Sequence, residues 1–386
     1  MPRTTPPRPL DATALFPELA PLARTAVRLH PRAGTPTATD SSIGGPLLWP
    51  ADEPWPTCPD HNSASHHGVA PDDVRLGRRI LAEAWARPRA EGADLLTPEE
   101  RVIVDRASIS GSARIPQDGP VPMIPVVQLY ASDVPALPGP AGTDLLQVLW
   151  CPFDHDEDYL PAVELYWRAS ADVTDPLAAP PQPSVIGSDD YLPEPCVLHP
   201  ETVTEYPAPH ELPEDLAARI EAWEEDQNQN DPDDSDDSDD SDDSDDSDDL
   251  DDLDDLDDLD DLDDLDDLDD LDDLDDLDDV TVVDYQYDLS VAPGCKLGGH
   301  APWSFSDPFP MACPECGSDV RPLLTIDGTE WDGGSGSWRP TEDAHYTGLH
   351  FLGPACSTHL NIGRSYNLQL YVCTSSPDHP HVQNMQ

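Results

Sequence analysis

Two six-residue runs of mostly apolar residues align with each other without a gap, at positions 146–151 and 368–373. Each run is rich in residues that favour strands and ends in a cysteine. Each is followed by a loop that carries an Asp-His pair, which ends at His155 in the first copy and at His379 in the second. The pattern predicts two buried strands that deliver a thiol to the edge of a sheet.

The repeat extends upstream of both runs. A Gly-Gly-x3-Trp motif ends at Trp49 in the first copy and at Trp303 in the second. Each tryptophan is followed within about ten residues by a Cys-Pro-acid motif, which begins at Cys58 or at Cys313. We therefore interpret the chain as an internal duplication of one structural plan.

Helical spacing predicts further elements between the repeated motifs. Apolar residues over 11–29 predict an N-terminal helix, and a polar helix is expected over about 212–226. Residues 71–107 have no counterpart in the second copy and predict a helical insertion, in which Thr97 and Glu100 form a capping box. Additional strands are predicted at 123–130, 162–167, 196–199, 280–283 and 322–326.

With 386 residues, of which 37% are hydrophobic, the chain is long enough for two or three domains. The predicted fold class is α+β, predominantly β, with an internally duplicated two-half architecture. The expected segments are an N-terminal helix and turn at 1–37, a first half at 38–228 with its insertion at 71–107, an acidic linker at 229–280 and a second half at 281–386.

The net charge of −61 is concentrated in one tract. Residues 233–279 hold 32 aspartates, and subtracting these leaves a net charge of −29 for the remainder. Leucines at a strict period of three build no stripe on a helix of 3.6 residues per turn, and neighbouring aspartates repel each other, so the tract is expected to be a disordered linker. An acidic surface also argues against binding to nucleic acid or anionic membranes.

No apolar stretch approaches the ~20 residues that a membrane-spanning helix needs, and no apolar signal region follows the first residues. We therefore expect a cytoplasmic protein. In that compartment the eight cysteines favour metal binding or free thiols over disulfides.

The strongest chemical signal is the Cys-x2-Cys turn of Cys313 and Cys316, which is followed directly by a glycine. Such a turn lets two thiolates face one point, and zinc is commonly held by two pairs of this kind in a tetrahedron. For the second pair we favour Cys373 with His379. The rival pair is Cys356 with His359.

The duplication favours the first of these pairs, because Cys356 has no clear counterpart in the first copy. There, Cys58, His61, Cys151 and His155 occupy matching places and predict a second, weaker zinc site. A cage of four protein ligands is closed, so the predicted zinc is structural. The remaining histidines outside the motifs are expected to be ordinary surface residues: His30, His66, His67, His199, His210, His345, His350 and His381.

Carboxylates near Trp331 offer an alternative chemistry, because Asp327, Glu330 and Asp332 could act as acid and base. In a chain with 80 acidic residues such a cluster is expected by chance. The sequence contains no Gly-x-Ser-x-Gly elbow, His-Glu-x2-His motif or phosphate-binding loop. We therefore lean away from an enzyme.

Several of these motifs together resemble the YwqG-like family of uncharacterised bacterial proteins, over about 30–200 and 281–386 without the helical insertion and the acidic tract. The Leu-Leu-Thr-Ile segment at 323–326, after a Cys-Pro-x-Cys-Gly turn, is similar to actinobacterial members. The other matching segments are Ile43-Gly44-Gly45-Pro46, Trp49-Pro50, Trp55-Pro56, the strand over 122–130 and Lys296-Leu297-Gly298-Gly299.

The resemblance implies a β-rich duplicated fold with no established reaction. Some relatives lie near toxin systems, which implies an immunity role. Carried over to this chain, the ligand set rests on Cys313, Cys316 and Cys373, whereas the acidic tract departs from the family pattern.

The function we favour from the sequence is binding of a protein partner by a scaffold with structural zinc. The alternatives are a hydrolytic enzyme that uses the carboxylates near Trp331, and a scaffold that recruits basic partners through its acidic tract. The sequence determines neither the ligand nor the oligomeric state.

Overall fold

The computed structural model describes residues 2–59, 67–89, 93–107, 115–116, 119–155, 160–229, 282–363 and 365–386. The helices are α1 Ala12–Leu15, α2 Pro71–Trp85, α3 Pro98–Ala107 and α4 Glu214–Gln229. The strands are β1 Arg24–Arg28, β2 Arg32–Ala33, β3 Ser42–Ile43, β4 Thr57–Cys58, β5 His67–Gly68, β6 Ile115–Pro116, β7 Val121–Pro122, β8 Ile124–Tyr130, β9 Leu145–His155, β10 Leu160–Arg168, β11 Cys196–Val197, β12 Glu201–Glu205, β13 Lys296–Gly298, β14 Val320–Ile326, β15 Leu368–Cys373 and β16 Val382–Met385. The fold is α+β and mainly β, as predicted.

Two six-stranded sheets follow the same plan. Their strand orders are β2-β11-β3-β8-β9-β10 and β12-β1-β13-β14-β15-β16, and all neighbouring strands are antiparallel. In each sheet the third strand, β3 or β13, leads into the Gly-Gly motif. The next three positions are taken by β8, β9 and β10 in one sheet and by β14, β15 and β16 in the other. The sheets therefore realise the duplication that the sequence predicted.

A buried glutamine marks the same point in both sheets. Gln147 on β9 donates a hydrogen bond to the carbonyl of Leu48 at 3.0 Å, and Gln369 on β15 donates to the carbonyl of Pro302 at 2.5 Å. Each carbonyl belongs to the residue before the tryptophan of a Gly-Gly-x3-Trp motif. The repeat thus preserves hydrogen bonds as well as strand order.

One antiparallel ribbon passes through both sheets. Strands β1 and β12 pair from Arg24 opposite Glu205 onwards, and the same register continues to β2 and β11, where Cys196 lies opposite Ala33. Because β1 also pairs with β13, strands from the N-terminal part of the chain complete the sheet of the second half. The described residues of 1–212 and 286–386 accordingly form one compact unit, and those of 213–285 form another.

The core of the larger unit draws on both sheets. Apolar side chains with 2% exposure or less come from β8 and β9, such as Ile124 and Trp150, and from β14 and β15, such as Leu323 and Leu370. Full burial of one such side chain contributes about 1.5–3 kcal/mol. The two sheets therefore share one hydrophobic core.

The predicted helix over 11–29 is wrong in its second part. Pro17 and Pro21 lie within this range, and proline removes a hydrogen-bond donor and clashes inside a helix. The segment instead forms the short helix α1, a 3₁₀ turn over Pro17–Leu22 and strand β1. The apolar residues Phe16, Leu19 and Val27 are buried all the same.

The helical insertion is confirmed as α2 and α3. The capping box is present, because the Thr97 amide donates to the Glu100 carboxylate at 2.9 Å and the Glu100 amide donates to the Thr97 hydroxyl at 3.2 Å. The polar helix predicted over 212–226 is α4, in which Leu216 and Ile220 are buried.

Of the strand predicted at 280–283, the described residues 282–283 form no strand. The acidic tract at 233–279 lies outside the described residues. Across the described ranges, no helix combines the length and the apolar character needed to cross a membrane.

Candidate metal centres

Four predicted ligands of the second half come together in space. The sulfur atoms of Cys313, Cys316 and Cys373 and a ring nitrogen of His379 all lie within 4.8 Å of one another. The Cys313 sulfur is 3.5 Å from His379 Nδ1, and the sulfurs of Cys316 and Cys373 are 3.5 Å apart. Ligands bound to one tetrahedral zinc at about 2.0–2.3 Å would be separated by roughly 3.5–3.8 Å, so the spacing fits.

A tight turn positions the first two thiols. The amide of Gly317 donates to the carbonyl of Cys313 at 2.9 Å, and the Cys313 amide donates to the carbonyl of Ser318 at 2.8 Å. Gly317 has a φ of +69°, a left-handed conformation that glycine adopts without strain. The turn therefore needs the glycine that follows the second cysteine.

The other two ligands come from the end of β15. Cys373 is the last residue of this strand, and the amide of Ser375 donates to its sulfur at 3.3 Å. Burial alone would raise the pKa of Cys373, but the amides of Ser376 and Ser375 and the ring of His379 lower it to about 6. A thiolate is the form that binds metal, so the surroundings favour a ligand.

Three predicted ligands of the first half form an equivalent cluster. Ligand atoms of Cys58, Cys151 and His155 lie within 4.8 Å of one another, and the Cys58 sulfur is 3.5 Å from His155 Nε2. Cys58 is on β4, and the other two are on β9, the counterpart of β15. The fourth predicted ligand, His61, lies outside the described residues.

Both cysteines of this cluster are buried, whereas Cys316 of the other cluster is exposed. Cys151 has no exposed surface, and burial together with the neighbouring Cys58 sulfur raises the pKa of its thiol. A bound cation offsets such a cost, because it stabilises the thiolate directly. Both Cys/His clusters can therefore hold a metal ion.

Neither protein-family models nor curated proteins match this chain. The resemblance to the YwqG-like family therefore stays a prediction.

The rival ligand pair is not assembled with the Cys-x2-Cys turn. The sulfur of Cys356 lies 3.9 Å from the hydroxyl of Thr329, and the carbonyl of His359 accepts a hydrogen bond from Arg78. Neither residue belongs to a metal-type cluster in the described part of the chain. The fold brings Cys373 and His379, the pair that the duplication favoured, to the turn of Cys313 and Cys316.

The three carboxylates near Trp331 are engaged in hydrogen bonds within the protein. Asp327 accepts from the Thr329 amide at 2.9 Å, and Asp332 accepts from the amide and hydroxyl of Ser335. Glu330 is buried against the ring of His30. These bonds order the connection between β14 and β15.

The prediction that His30 is an ordinary surface residue is wrong. His30 has no exposed surface and lies between Glu330 at 3.0 Å and Glu201 at 3.3 Å. Burial would raise the pKa of Glu330, but the His30 hydrogen bond and the charges of Arg28 and Arg32 lower it. The alternation of Arg28, His30 and Arg32 along an extended segment was the sequence signal for this network.

The other histidines divide by exposure. His199 and His381 are half-buried, which departs from the prediction, whereas His210, His345 and His350 are exposed as predicted. His66 and the side chain of His67 lie outside the described residues.

Proposed function

We propose that this protein is a protein-binding scaffold in which structural zinc holds each half in shape. The cluster of Cys313, Cys316, Cys373 and His379 carries the proposal. Four protein donors complete a tetrahedron and leave no position for a reacting water, which is the arrangement of a structural site. Three sulfurs and one nitrogen also suit zinc better than magnesium or calcium, which prefer oxygen.

The location of the cluster supports a structural role. The loop that precedes β14 is largely exposed and buries few apolar side chains of its own, yet Cys313 within it is only 2% exposed. Binding of zinc contributes about 10–16 kcal/mol of folding free energy in zinc-finger peptides near pH 7. A zinc ion would thus fix this loop to the end of β15.

Two clefts among the described residues are smaller than usual sites for small molecules. A cleft between Gly45 and Leu192 has a volume of about 170 Å³, and one between Arg8 and Tyr206 has about 280 Å³. Sites for drug-sized ligands usually have about 300–1,000 Å³. The carboxylates near Trp331 are engaged in structural hydrogen bonds, so the binding role is preferred to hydrolysis.

Metal analysis of the purified chain tests the zinc. We expect one to two zinc ions per chain, falling by about one in Cys313→Ser because a tetrahedral site loses a thiolate. Cys356→Ser is the matched control, since this cysteine lies outside both clusters, and it should keep the wild-type zinc content. An unchanged zinc content in Cys313→Ser would reject the proposal.

Affinity capture from the source cell, with and without residues 233–279, tests the partner. A partner bound by the folded halves should be retained when the acidic tract is absent. Loss of that partner would instead favour the alternative in which the tract recruits basic proteins.

A further inference from the structure

Residues 2–9 cross the surface of the protein without forming a helix or a strand, and none of them is buried. The segment, here called the N-terminal strap, lies in a groove formed by residues 337–343 together with Glu201 and Asp288. The following segment differs, because Ala12, Phe16 and Leu19 anchor it in the core. Hydrogen bonds, an ion pair and a stacked arginine hold the strap, and a firm attachment lies just behind it.

An arginine anchors each end of the strap. The guanidinium of Arg8 stacks on the ring of Trp338 at 3.6 Å from its centroid. It also donates to the carbonyl of Ser337 at 2.7 Å and to that of Asp288 at 3.2 Å. At the other end Arg3 pairs with Asp343 at 3.3 Å.

Backbone and hydroxyl groups bind the middle of the strap. The amide and the hydroxyl of Thr4 donate to the two carboxylate oxygens of Glu342 at 2.8 and 2.9 Å. The amide and the hydroxyl of Thr5 both donate to Oε2 of Glu201, at 2.8 and 2.6 Å, and the amide of Thr341 donates to the carbonyl of Thr4 at 3.0 Å. Main-chain recognition of this kind accepts any extended segment, whereas the side-chain contacts select its sequence.

Charge and stiffness define what the groove takes. The strap has two arginines and no acidic residue. Three carboxylates contact it, from Glu201, Glu342 and Asp343, and the guanidinium of Arg28 donates to the Thr5 hydroxyl at 2.9 Å. Prolines at four of its eight positions limit its freedom, so an extended conformation costs little entropy. The groove is complementary to a proline-rich segment with arginines about five residues apart.

We propose that this groove is the docking site for an extended, arginine-containing segment of a protein partner, and that the N-terminal strap occupies it until such a segment displaces it. The inference rests on the proposed function for the existence of a partner. A tethered segment acts at an effective concentration that reaches the millimolar range, so it competes with a free segment without binding tightly. Removing the arginines of the strap should therefore open the groove.

A labelled peptide with the sequence of residues 2–9 is the probe, and fluorescence anisotropy with the full chain measures its binding. We expect the double variant Arg3→Ala/Arg8→Ala to bind the peptide about tenfold or more tightly than the wild type, because its own strap competes less. Arg101→Ala, at an exposed arginine on α3, is the matched control and should bind as the wild type does. A peptide with both arginines changed to alanine should not bind.

A variant of the groove makes the test specific. Adding Glu342→Lys to the double variant should weaken binding of the peptide about tenfold again. The carboxylate that accepts the hydrogen bond from the Thr4 amide is then replaced by a positive charge. Equal binding to the wild type and the double variant, or equal binding with and without Glu342→Lys, would overturn the proposal. Wild-type zinc content in these variants would show that the metal proposal stands even if the groove proposal fails. If the double variant unfolds, faster hydrogen exchange at Thr4 and Thr5 in Glu342→Lys alone supports the proposal, and unchanged exchange overturns it.

Discussion

A fully buried ion pair lies where the ribbon joins the sheet of the second half. Lys296 Nζ is 2.6 Å from Glu205 Oε1, and neither side chain has exposed surface. The lysine also donates to the carbonyl of His300, and the glutamate accepts from the amides of His300 and Ala292. The charges are compensated by hydrogen bonds on both sides, which is the condition for such a pair to persist in a core.

Lys296→Met should destabilise the protein strongly, because it leaves the Glu205 carboxylate buried without its cation. Loss of one partner of a buried pair costs about 3–5 kcal/mol. Urea unfolding measures the change. The exposed pair of Arg75 and Asp72 is the control, and Arg75→Ala should change the free energy of unfolding by less than about 1 kcal/mol. Similar values for the two variants would contradict the argument.

Asp327 makes stability depend on pH. Burial raises the pKa of its carboxyl group from 3.8 to about 7 in the folded protein. The folded state then holds the proton more tightly than the unfolded state, so the contribution of Asp327 to stability falls as pH rises from about 4 to 7. Above that range the loss is complete.

Asp327→Asn should remove this dependence, because the amide keeps an oxygen for the Thr329 amide and does not ionise. Relative to the wild type, the variant should gain about 1–3 kcal/mol of unfolding free energy between pH 5.5 and pH 8. Urea titrations at the two pH values give the comparison. A constant difference would show that the carboxyl group does not titrate in this range.

At the scale of elements, the second glycine of the Gly-Gly motif, directly after β13, leaves no room for a side chain. Gly299 has a φ of +74°, and a Cβ there would lie 2.2 Å from the carboxylate of Glu205 and 2.7 Å from Ala26 Cβ. Gly142 has a φ of +89° but open space around it. A substitution at Gly142 therefore tests backbone strain by itself, and one at Gly299 tests backbone strain together with a steric collision.

Gly299→Ala should therefore cost more than Gly142→Ala. A left-handed backbone costs an L-residue about 1–2 kcal/mol at either site, and the collision with Glu205 should add at least about 2 kcal/mol at Gly299. Chemical denaturation of both variants tests this. Equal losses would mean that the turn after β13 can move away from Glu205.

The elements that could be predicted from the sequence are those whose local pattern of residues fits only one kind of secondary structure. The strand that ends in Cys373 has six buried residues in succession, and α3 begins with its own capping box. The segment over 24–28 was mistaken for helix, because its apolar residues fit either period and its partners are far away in the chain. Pro17 and Pro21 were the local signal against that helix.

At the scale of the whole molecule, the two six-stranded sheets are built from strands within residues 24–205 and 296–385. The amide of Tyr285 donates to Glu224 at 2.7 Å, so the chain on either side of the tract lies close together. The free-energy cost of closing a flexible loop rises only weakly with its length, by about 0.6 kcal/mol for each doubling.

Replacing residues 233–279 by about fifteen Gly/Ser residues should change the free energy of unfolding by no more than about 1–2 kcal/mol. Zinc content and the denaturation midpoint are the measurements. A collapse of cooperative unfolding would show that the tract contributes to the folded structure.

Local pattern by itself determined the mainly β class, the duplication, the helical insertion and the residues of both Cys/His clusters, because strand periodicity, capping and cysteine spacing are short-range properties. Only the tertiary structure decided that β1 and β12 complete the sheet of the second half and that His30 is buried between two glutamates. Pairings between distant segments depend on how the whole core closes, and no local run of residues carries that information.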